Sequence, residues 1–294
     1  MQNDIRADAA QYYDVNPTIP DDLAFYQARL PSAEAAVLEL GCGTGRVLLP
    51  LAAACGFIHG LDRSEAMLAR CRQKLQAAAI GPTRARVEPG DITHFALGRV
   101  FDLIIAPYRV FQLLDTAAQV DGLLQGVRTH LAPGGTCILN VFHPQGGFEA
   151  VQQEWETATE VRRWEVTVDG VPLRCDERRA GYDAARHILY PELVYRRAVG
   201  GVWVEDAVLQ ISRRCYTPEA FPQVILEHGF QIVQRWGGYA GEPYGEGPEL
   251  AIRVSSRSET GARTPQSVVL ARHDSSSAAL RCATTKANLS QNAA

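Results

Sequence analysis

Short apolar runs alternate with longer amphipathic ones through the first half of this chain. "AAVLEL", "GFIHGLD", "RARVEPGD", "FDLIIAP" and "TCILNVF" are short, rich in aliphatic residues and bounded by turn formers, the mark of strands. Between them, Arg46 to Ala54, a run from a Ser64 cap to about Ala79, and Ala117 to His130 carry helical spacing. Pro50 is tolerated because an N–H in a first turn has no partner to lose, and "LAPGG" stops the last of these helices. A further helix is expected from Asp21 to Leu30, behind Pro20 and two acids. Runs apolar on both faces, such as "FDLIIAP", suit a parallel sheet covered by helices on both sides. Strict alternation of strand and helix therefore predicts an α/β fold: a doubly wound, mostly parallel sheet with right-handed crossovers.

From Glu154 to Tyr216 the pattern changes. "EVRRWEVTV", "VPLRCDERRAGY", "RHILYPELVYRRA" and "GVWVEDAVLQISRRCY" alternate and are rich in β-branched and aromatic residues, with Asp169-Gly170 and Gly200-Gly201 between them, which predicts antiparallel hairpins. Thr217 and Pro218 then open a helix closed by Gly229, and "FQIVQRW" and "ELAIRVSS" bring the main sheet to seven strands. The expected organisation is an N-terminal lid region (1–35), a core (36–147), an antiparallel β insertion (148–216), completion of the core (217–254) and a tail (255–294). The tail, rich in Ser, Ala and Thr, holds too few large apolar residues to offset the entropy of ordering it.

Composition narrows the function classes. At 294 residues and 46% hydrophobic the chain buries a full core, and its net charge of -4 with acids interspersed forms no basic stripe, so nucleic acid is not an expected partner. The polar, acidic start "MQNDIRADAA" lacks the pattern of a secretory signal, and no apolar run reaches the length of a membrane span, so a cytoplasmic protein without a membrane partner is expected. Seven cysteines with no Cys-x-x-Cys pair argue against a zinc ribbon or a disulfide framework and for reduced, mainly buried thiols; no metal site is expected.

The candidate chemistry starts at "VLELGCGTGRVLL". Alternate glycines directly after a strand permit a tight turn and close approach of a ligand to the backbone, while the next helix offers free N–H groups. A P-loop would need Lys-Ser/Thr after the last glycine, where Arg46 and Val47 stand. The dinucleotide fingerprint would need a small residue at position 46, which argues against a pyrophosphate. With Glu39-x-Gly41-x-Gly43-x-Gly45, followed by acids at the ends of the second and third strands, the sequence resembles the class I S-adenosylmethionine-dependent methyltransferases of the broad small-molecule type, over roughly Tyr12 to Val254. The resemblance implies a Rossmann-like fold and S-adenosyl-L-methionine as cofactor, with S-adenosyl-L-homocysteine as product.

It also implies roles. Gly41, Cys42, Gly43 and Gly45 form the turn, Glu39 sits beside the methionine ammonium, and Asp62, with Arg63 and Met67 nearby, accepts the ribose hydroxyls. Asp91 receives the adenine amino group and Ile92 lines the ring; Ala106, Pro107 and Phe111 follow the fourth strand toward the methionine part, with Tyr108 and Arg109 toward the acceptor. Tyr13 and Tyr26, in an N-terminal lid, stand close to the sulfonium, and Arg46 is expected to be solvent-exposed. Structural alternatives stay open for several: helix capping for Asp62, a turn for Asp91, core packing for Met67, Phe111 and the lid tyrosines.

Transfer from a sulfonium needs alignment more than acid or base, and a protonated nucleophile would also need a proton acceptor. His143, in "NVFHP", is the candidate for that role, with a structural hydrogen bond as the alternative. Tyr195, with Trp203 and Arg197, and Tyr239 and Tyr244 are candidate acceptor contacts, and the insertion is also a candidate homodimer surface. The fourth strand ends in "APYR" rather than the Asn-Pro-Pro-Tyr pattern of base-modifying enzymes, so the expectation is N- or O-methylation of a small metabolite. The alternatives are a non-catalytic cofactor-binding regulatory or scaffold protein and a NAD(P)-dependent oxidoreductase.

Overall fold

The computed structural model describes residue 4, residues 6–157 and residues 159–256. In chain order the elements are α1 (Ala10–Tyr13), α2 (Leu23–Gln27), β1 (Ala36–Leu40), α3 (Leu48–Ala54), β2 (Phe57–Asp62), α4 (Glu65–Ala77), β3 (Ala85–Pro89), β4 (Phe101–Ala106), α5 (Ala117–His130) and β5 (Leu131–Phe142). There follow α6 (Gly147–Thr157), β6 (Glu160–Val168), β7 (Val171–Asp183), β8 (Ile188–Val199), β9 (Val202–Gln210), β10 (Arg213–Arg214), α7 (Ala220–Glu227), β11 (Phe230–Trp236) and β12 (Glu249–Ser256).

Seven strands form the main sheet in the order β11-β12-β5-β4-β1-β2-β3. All neighbours are parallel except those of β12, which runs antiparallel to both β5 and β11. Side chains alternate between two apolar layers: Leu38, Leu40, Ile104 and Leu139 face a cluster with α5 and α7, while Val37, Ile58, Leu103 and Ile105 face one with α2, α3 and α4. Both faces are covered, which is why the strands read as nearly continuous apolar runs. The chain leaves β1 toward β2 on one side and returns through β4 on the other, so the sheet reverses direction between β1 and β4. Open sheets bind ligands at that point, outside the carboxyl ends of the strands.

The caps follow local chemistry. Ser64 accepts the Met67 N–H at the start of α4, and Thr116 and Gln119 form a reciprocal capping box on α5. The lid helix is shorter than Asp21 to Leu30, a single stretch of Leu23–Gln27, and α1 precedes it. Residues 148–216 also differ from expectation, because α6 leads the insertion. Phe148, Val151 and Trp155 recur at helical spacing and pack with Leu189, Cys215 and Tyr182. The hairpins behind it form a five-stranded antiparallel sheet, β10-β8-β7-β6 with β9 also on β8. The six cysteines among the described residues are buried free thiols. The tail expected from residue 255 begins in β12, and residues 257–294 lie outside the described residues. No helix among the described residues is long and apolar enough to cross a membrane.

Gln112 joins the insertion to the main sheet. Fully buried, it donates from Nε2 to the Arg214 carbonyl at 2.8 Å and accepts the Phe142 N–H at Oε1 at 2.8 Å. Gln112→Leu takes these partners from the half-buried Phe142 and Arg214 backbone groups, and should cost about 1–3 kcal/mol in denaturant unfolding.

Candidate functional site

The strand ends at the reversal point are joined by a turn that depends on glycine. Gly41 and Cys42 N–H both donate to the Leu61 carbonyl, at 2.8 and 2.9 Å, and Gly45 N–H donates to Cys42 at 2.9 Å. Gly41, Gly43 and Gly45 have φ of +71°, +53° and +83°, a left-handed region that other residues rarely adopt. A Cβ at Gly41 would lie 2.7 Å from Val110 Cγ2, and one at Gly45 2.3 Å from Leu49 Cδ1; at Gly43 it would meet no atom within 4 Å. Gly41 and Gly45 thus allow close packing, whereas Gly43 leaves room in front of the backbone. Gly43 N–H donates to Asp62 Oδ2 and Ser64 N–H to Asp62 Oδ1, both at 2.9 Å, so Asp62 braces the turn as well as the start of α4. Each oxygen keeps a lone pair for a further donor.

Glu39 lies beneath the turn, 3% exposed, and its Oε2 has no hydrogen-bond partner. Burial pushes its carboxyl well above the usual range; Arg46 opposes this, and Asp22 and Asp62 add to it. An unpartnered buried carboxylate oxygen beside an open glycine turn fits a ligand that brings a cationic donor to one and an uncharged polar body to the other.

The N-terminal segment is fastened over this turn. Arg46 forms a two-pronged ion pair with Asp22, whose side chain is fully buried, and its head lies 5.7 Å from the Tyr108 ring centre. Arg46 is therefore a tie to the lid, not the solvent-exposed side chain expected. Thr44 Oγ1 and Lys74 Nζ each donate to Asp14 Oδ1 at 2.6 Å, and Asp4 accepts from Ser64 Oγ at 2.9 Å. Tyr13 meets Tyr108 edge-on at 6.3 Å, and burial pushes its hydroxyl to about 12. Tyr26 is fully buried against Phe25 and Tyr239, its hydroxyl unpartnered.

Beyond β4, Tyr108 and Arg109 are both left-handed, at φ +53° and +66°. Two such residues in succession cost about 1–3 kcal/mol each unless their surroundings impose the shape. Here they do: Asn140 Oδ1 accepts the Arg109 N–H at 3.3 Å, and Glu249 holds the Arg109 guanidinium. Asn140 Nδ2 also donates to Tyr239 Oη at 2.7 Å and Glu249 Oε2 at 2.9 Å, so β4, β5, β12 and the loop before β12 share one buried network.

Other expected residues take varied places. Asp91 stands just past β3, near the level of Asp62, with Oδ1 accepting from Thr93, and Ile92 is half-buried beside it; Arg63 is exposed. Met67, Ala106 and Pro107 are buried behind the strand ends, as is Cys42, whose thiol burial pushes upward. Phe111 does not face the crevice; it is fully buried against Tyr216 and Phe221 in the core, as its spacing from neighbouring apolar residues allows. Tyr244 is likewise separate, packing with the α7 side of the core under Arg235. Tyr195 stacks on Tyr12 at 4.7 Å, which joins the insertion to the lid; Arg197 pairs with Asp206, and Trp203 lies under Arg174. His143 is held by the loop before β12, its Nδ1 donating to the Gly247 carbonyl at 3.0 Å and its backbone N–H to Pro248 at 2.9 Å. Asp14, Asp22, Asn140 and Glu249 were not singled out by sequence. The one available signal was polarity inside strands otherwise apolar, at Asn140 in "TCILNVF" and Glu249 in "ELAIRV".

The architecture is that of a doubly wound α/β protein, and comparison with known proteins narrows the class. Residues 37–135 match the methyltransferase domain family. A dTDP-3-amino-3,4,6-trideoxy-alpha-D-glucopyranose N,N-dimethyltransferase of Streptomyces venezuelae is 29% identical over 47% of this chain and 53% of its own. A dTDP-3-amino-3,6-dideoxy-alpha-D-glucopyranose N,N-dimethyltransferase of Streptomyces fradiae is 30% identical over 40% and 44%. The chain thus spans about half the length of these curated relatives. The CcbJ methyltransferase of Streptomyces caelestis shares the fold with a TM-score of 0.67 at 21% identity, over 87% of this chain and 98% of that one. A methyltransferase from Clostridium acetobutylicum also gives 0.67, at 16% identity over 84% and 97%. Residues 37–135 thus resemble the methyltransferase domain family, and the fold of the chain is one shared with known S-adenosylmethionine-dependent methyltransferases.

The raised Glu39 carboxyl gives a pH test of the ligand-free protein. A raised acid favours folding only while protonated, so its contribution is present below the unfolded value near 4.5 and lost as pH rises through the folded one. Glu39→Gln should therefore stabilise the protein at pH 7, by about 1–3 kcal/mol. That gain should narrow toward pH 4 in thermal melts.

Proposed function

We propose that this protein transfers a methyl group from S-adenosylmethionine to an amino nitrogen of a small-molecule acceptor. The observation that carries the reading is the juxtaposition of the unpartnered Glu39 oxygen with the room in front of Gly43 and the braced Asp62 carboxylate. Glu39 would hold the methionine ammonium, Asp62 the ribose hydroxyls, and Asp91 with Ile92 the adenine. The bound cofactor supplies a methyl group already activated by its sulfonium, so the chain's task is orientation and exclusion of water, and orientation alone is worth up to about 7–11 kcal/mol in well-organised systems. The fastened lid serves both ends: Asp14 and Asp22 close it over the turn, and Tyr13 offers an aromatic face to the cation, a gain of about 0.5–2 kcal/mol. Tyr108, Arg109 and Tyr239 form the acceptor side, fixed by Asn140 and Glu249. The amino preference rests on the two curated relatives, both named as acting on amino sugars. A second copy on the insertion remains part of this reading, since β9 is an edge strand with Val202 and Val204 exposed.

Calorimetry with S-adenosylhomocysteine and with NAD(H) tests the cofactor. Binding of the former is expected, and Asp62→Ala should weaken it by about tenfold or more through loss of charge-assisted hydrogen bonds. Binding of NAD(H) alone overturns the reading. Labelled methyl donor offered to paired amino and hydroxy sugars should mark the amines.

A further inference from the structure

Among the described residues two buried carboxylate oxygens have no hydrogen-bond partner, Glu39 Oε2 and Glu177 Oε2. The first belongs to the donor side of the crevice. Glu177, 3% exposed, lies on β7 in the insertion. Its nearest charges are Arg213 Nη1 at 3.6 Å and Arg163 Nη1 at 3.9 Å. Both are beyond hydrogen-bond reach, so they balance the carboxylate's charge while leaving its lone pairs free.

A chain of contacts links this carboxylate to the lid and to Arg109. Side chains alternate along β7, so Glu177 shares a face with Cys175, which pairs in register with Tyr195; that face meets the lid through Tyr12 stacked on Tyr195. Arg213 stands on β10, which Gln112 fastens to Phe142 at the end of β5, and the Arg109 guanidinium lies 5.7 Å from the Phe142 ring centre. Burial lowers the pKa of Arg213, Glu177 opposes this, and the charges of Arg109 and Arg163 add to it, so these side chains share one electrostatic environment.

We propose that Glu177 contacts the methyl acceptor, its free oxygen receiving an N–H of the acceptor's amino group. This rests on the methyltransferase reading. As the nitrogen lone pair forms the new C–N bond, the bond from the methyl carbon to sulfur breaks and its electron pair stays on sulfur. The extra proton left on nitrogen passes to the Glu177 carboxylate and from there to water. Recognition of donor and acceptor is then divided between two carboxylates on opposite sides of the crevice, one in the core and one in the insertion.

The test uses the full chain saturated with S-adenosylhomocysteine and methylammonium chloride as probe, against sodium chloride at equal ionic strength, read by saturation-transfer NMR of the probe methyl. Wild type should show transfer. Glu177→Gln should weaken probe binding about tenfold, as expected for loss of a hydrogen bond to a charged group, while Glu177→Asp retains part of it and S-adenosylhomocysteine affinity is unchanged in both. A structural role alone would not separate probe from cofactor product in this way. No transfer in wild type, or equal transfer in Glu177→Gln, overturns the proposal. Failure of every variant and of wild type to bind S-adenosylhomocysteine overturns the methyltransferase reading instead. Should Glu177→Gln not fold, Arg213→Gln replaces it: removing the competing cation should tighten probe binding, and unchanged binding overturns the proposal.

Discussion

The two hydrogen bonds that Gly41 and Cys42 donate to a single carbonyl, that of Leu61, fix the shape of the glycine turn. They bind the exit of β1 to the end of β2, and that geometry forces the following residues into a left-handed turn which only glycine fills without strain. From it follow the position of Asp62, which reaches back to Gly43, the direction in which α3 leaves, and the exposure of the backbone in front of Gly43. Glu39 is buried at the same place because its strand ends there. Burial without a hydrogen-bond partner makes its carboxylate costly for the protein, and in the proposed reading a cationic group offsets that cost.

Around this turn the structure is arranged as two covers. One is the lid, fastened by acids: Asp4 to the start of α4, Asp14 to Thr44 and Lys74, Asp22 to Arg46. The other is the insertion, fastened by the buried amide of Gln112 and by the stacking of Tyr195 on Tyr12. The network of Arg109, Asn140, Glu249 and Tyr239 lies between them and holds a strained pair of residues in one shape. Small-molecule sites commonly form where such units meet, with a few fixed polar groups setting orientation.

What could be read from sequence was what is encoded locally. Glu39, the three glycines and Asp62 fall within 24 consecutive residues, and their placement follows from a strand, a turn and a strand end close in sequence. Ser64 as a cap and the extent of α5 were legible for the same reason. Asn140, Glu249, Gln112 and Glu177 were not, since each acquires meaning from a partner far along the chain: Asn140 and Glu249 are 109 positions apart, Gln112 and Arg214 102. Arg46 was misjudged because nothing near it announces Asp22 as a buried partner. Phe111 showed the limit of motif transfer, since its helical spacing was compatible with either the crevice or the core and packing against Tyr216 and Phe221 decided the matter. The start of the insertion was hidden because strand-like residues after Glu160 obscured the helical repeat of Phe148, Val151 and Trp155.

The bond from Tyr12 to Asp206, across 194 positions, bears on the order in which the molecule assembles. Asp14 and Asp22 can tie the lid to Thr44, Lys74 and Arg46 as soon as α3 and α4 are in place, whereas Tyr12 has no partner for its hydroxyl until most of the insertion sheet exists. A nascent chain halted before residue 206 would hold the glycine turn, the helices beside it and the acid ties of the lid, yet lack the lid's anchor on the insertion. Contacts of this range slow folding, because the entropy of closing the loop is lost before the contact returns anything. The join between lid and insertion is therefore the contact that waits longest to form, after the lid has already met the turn.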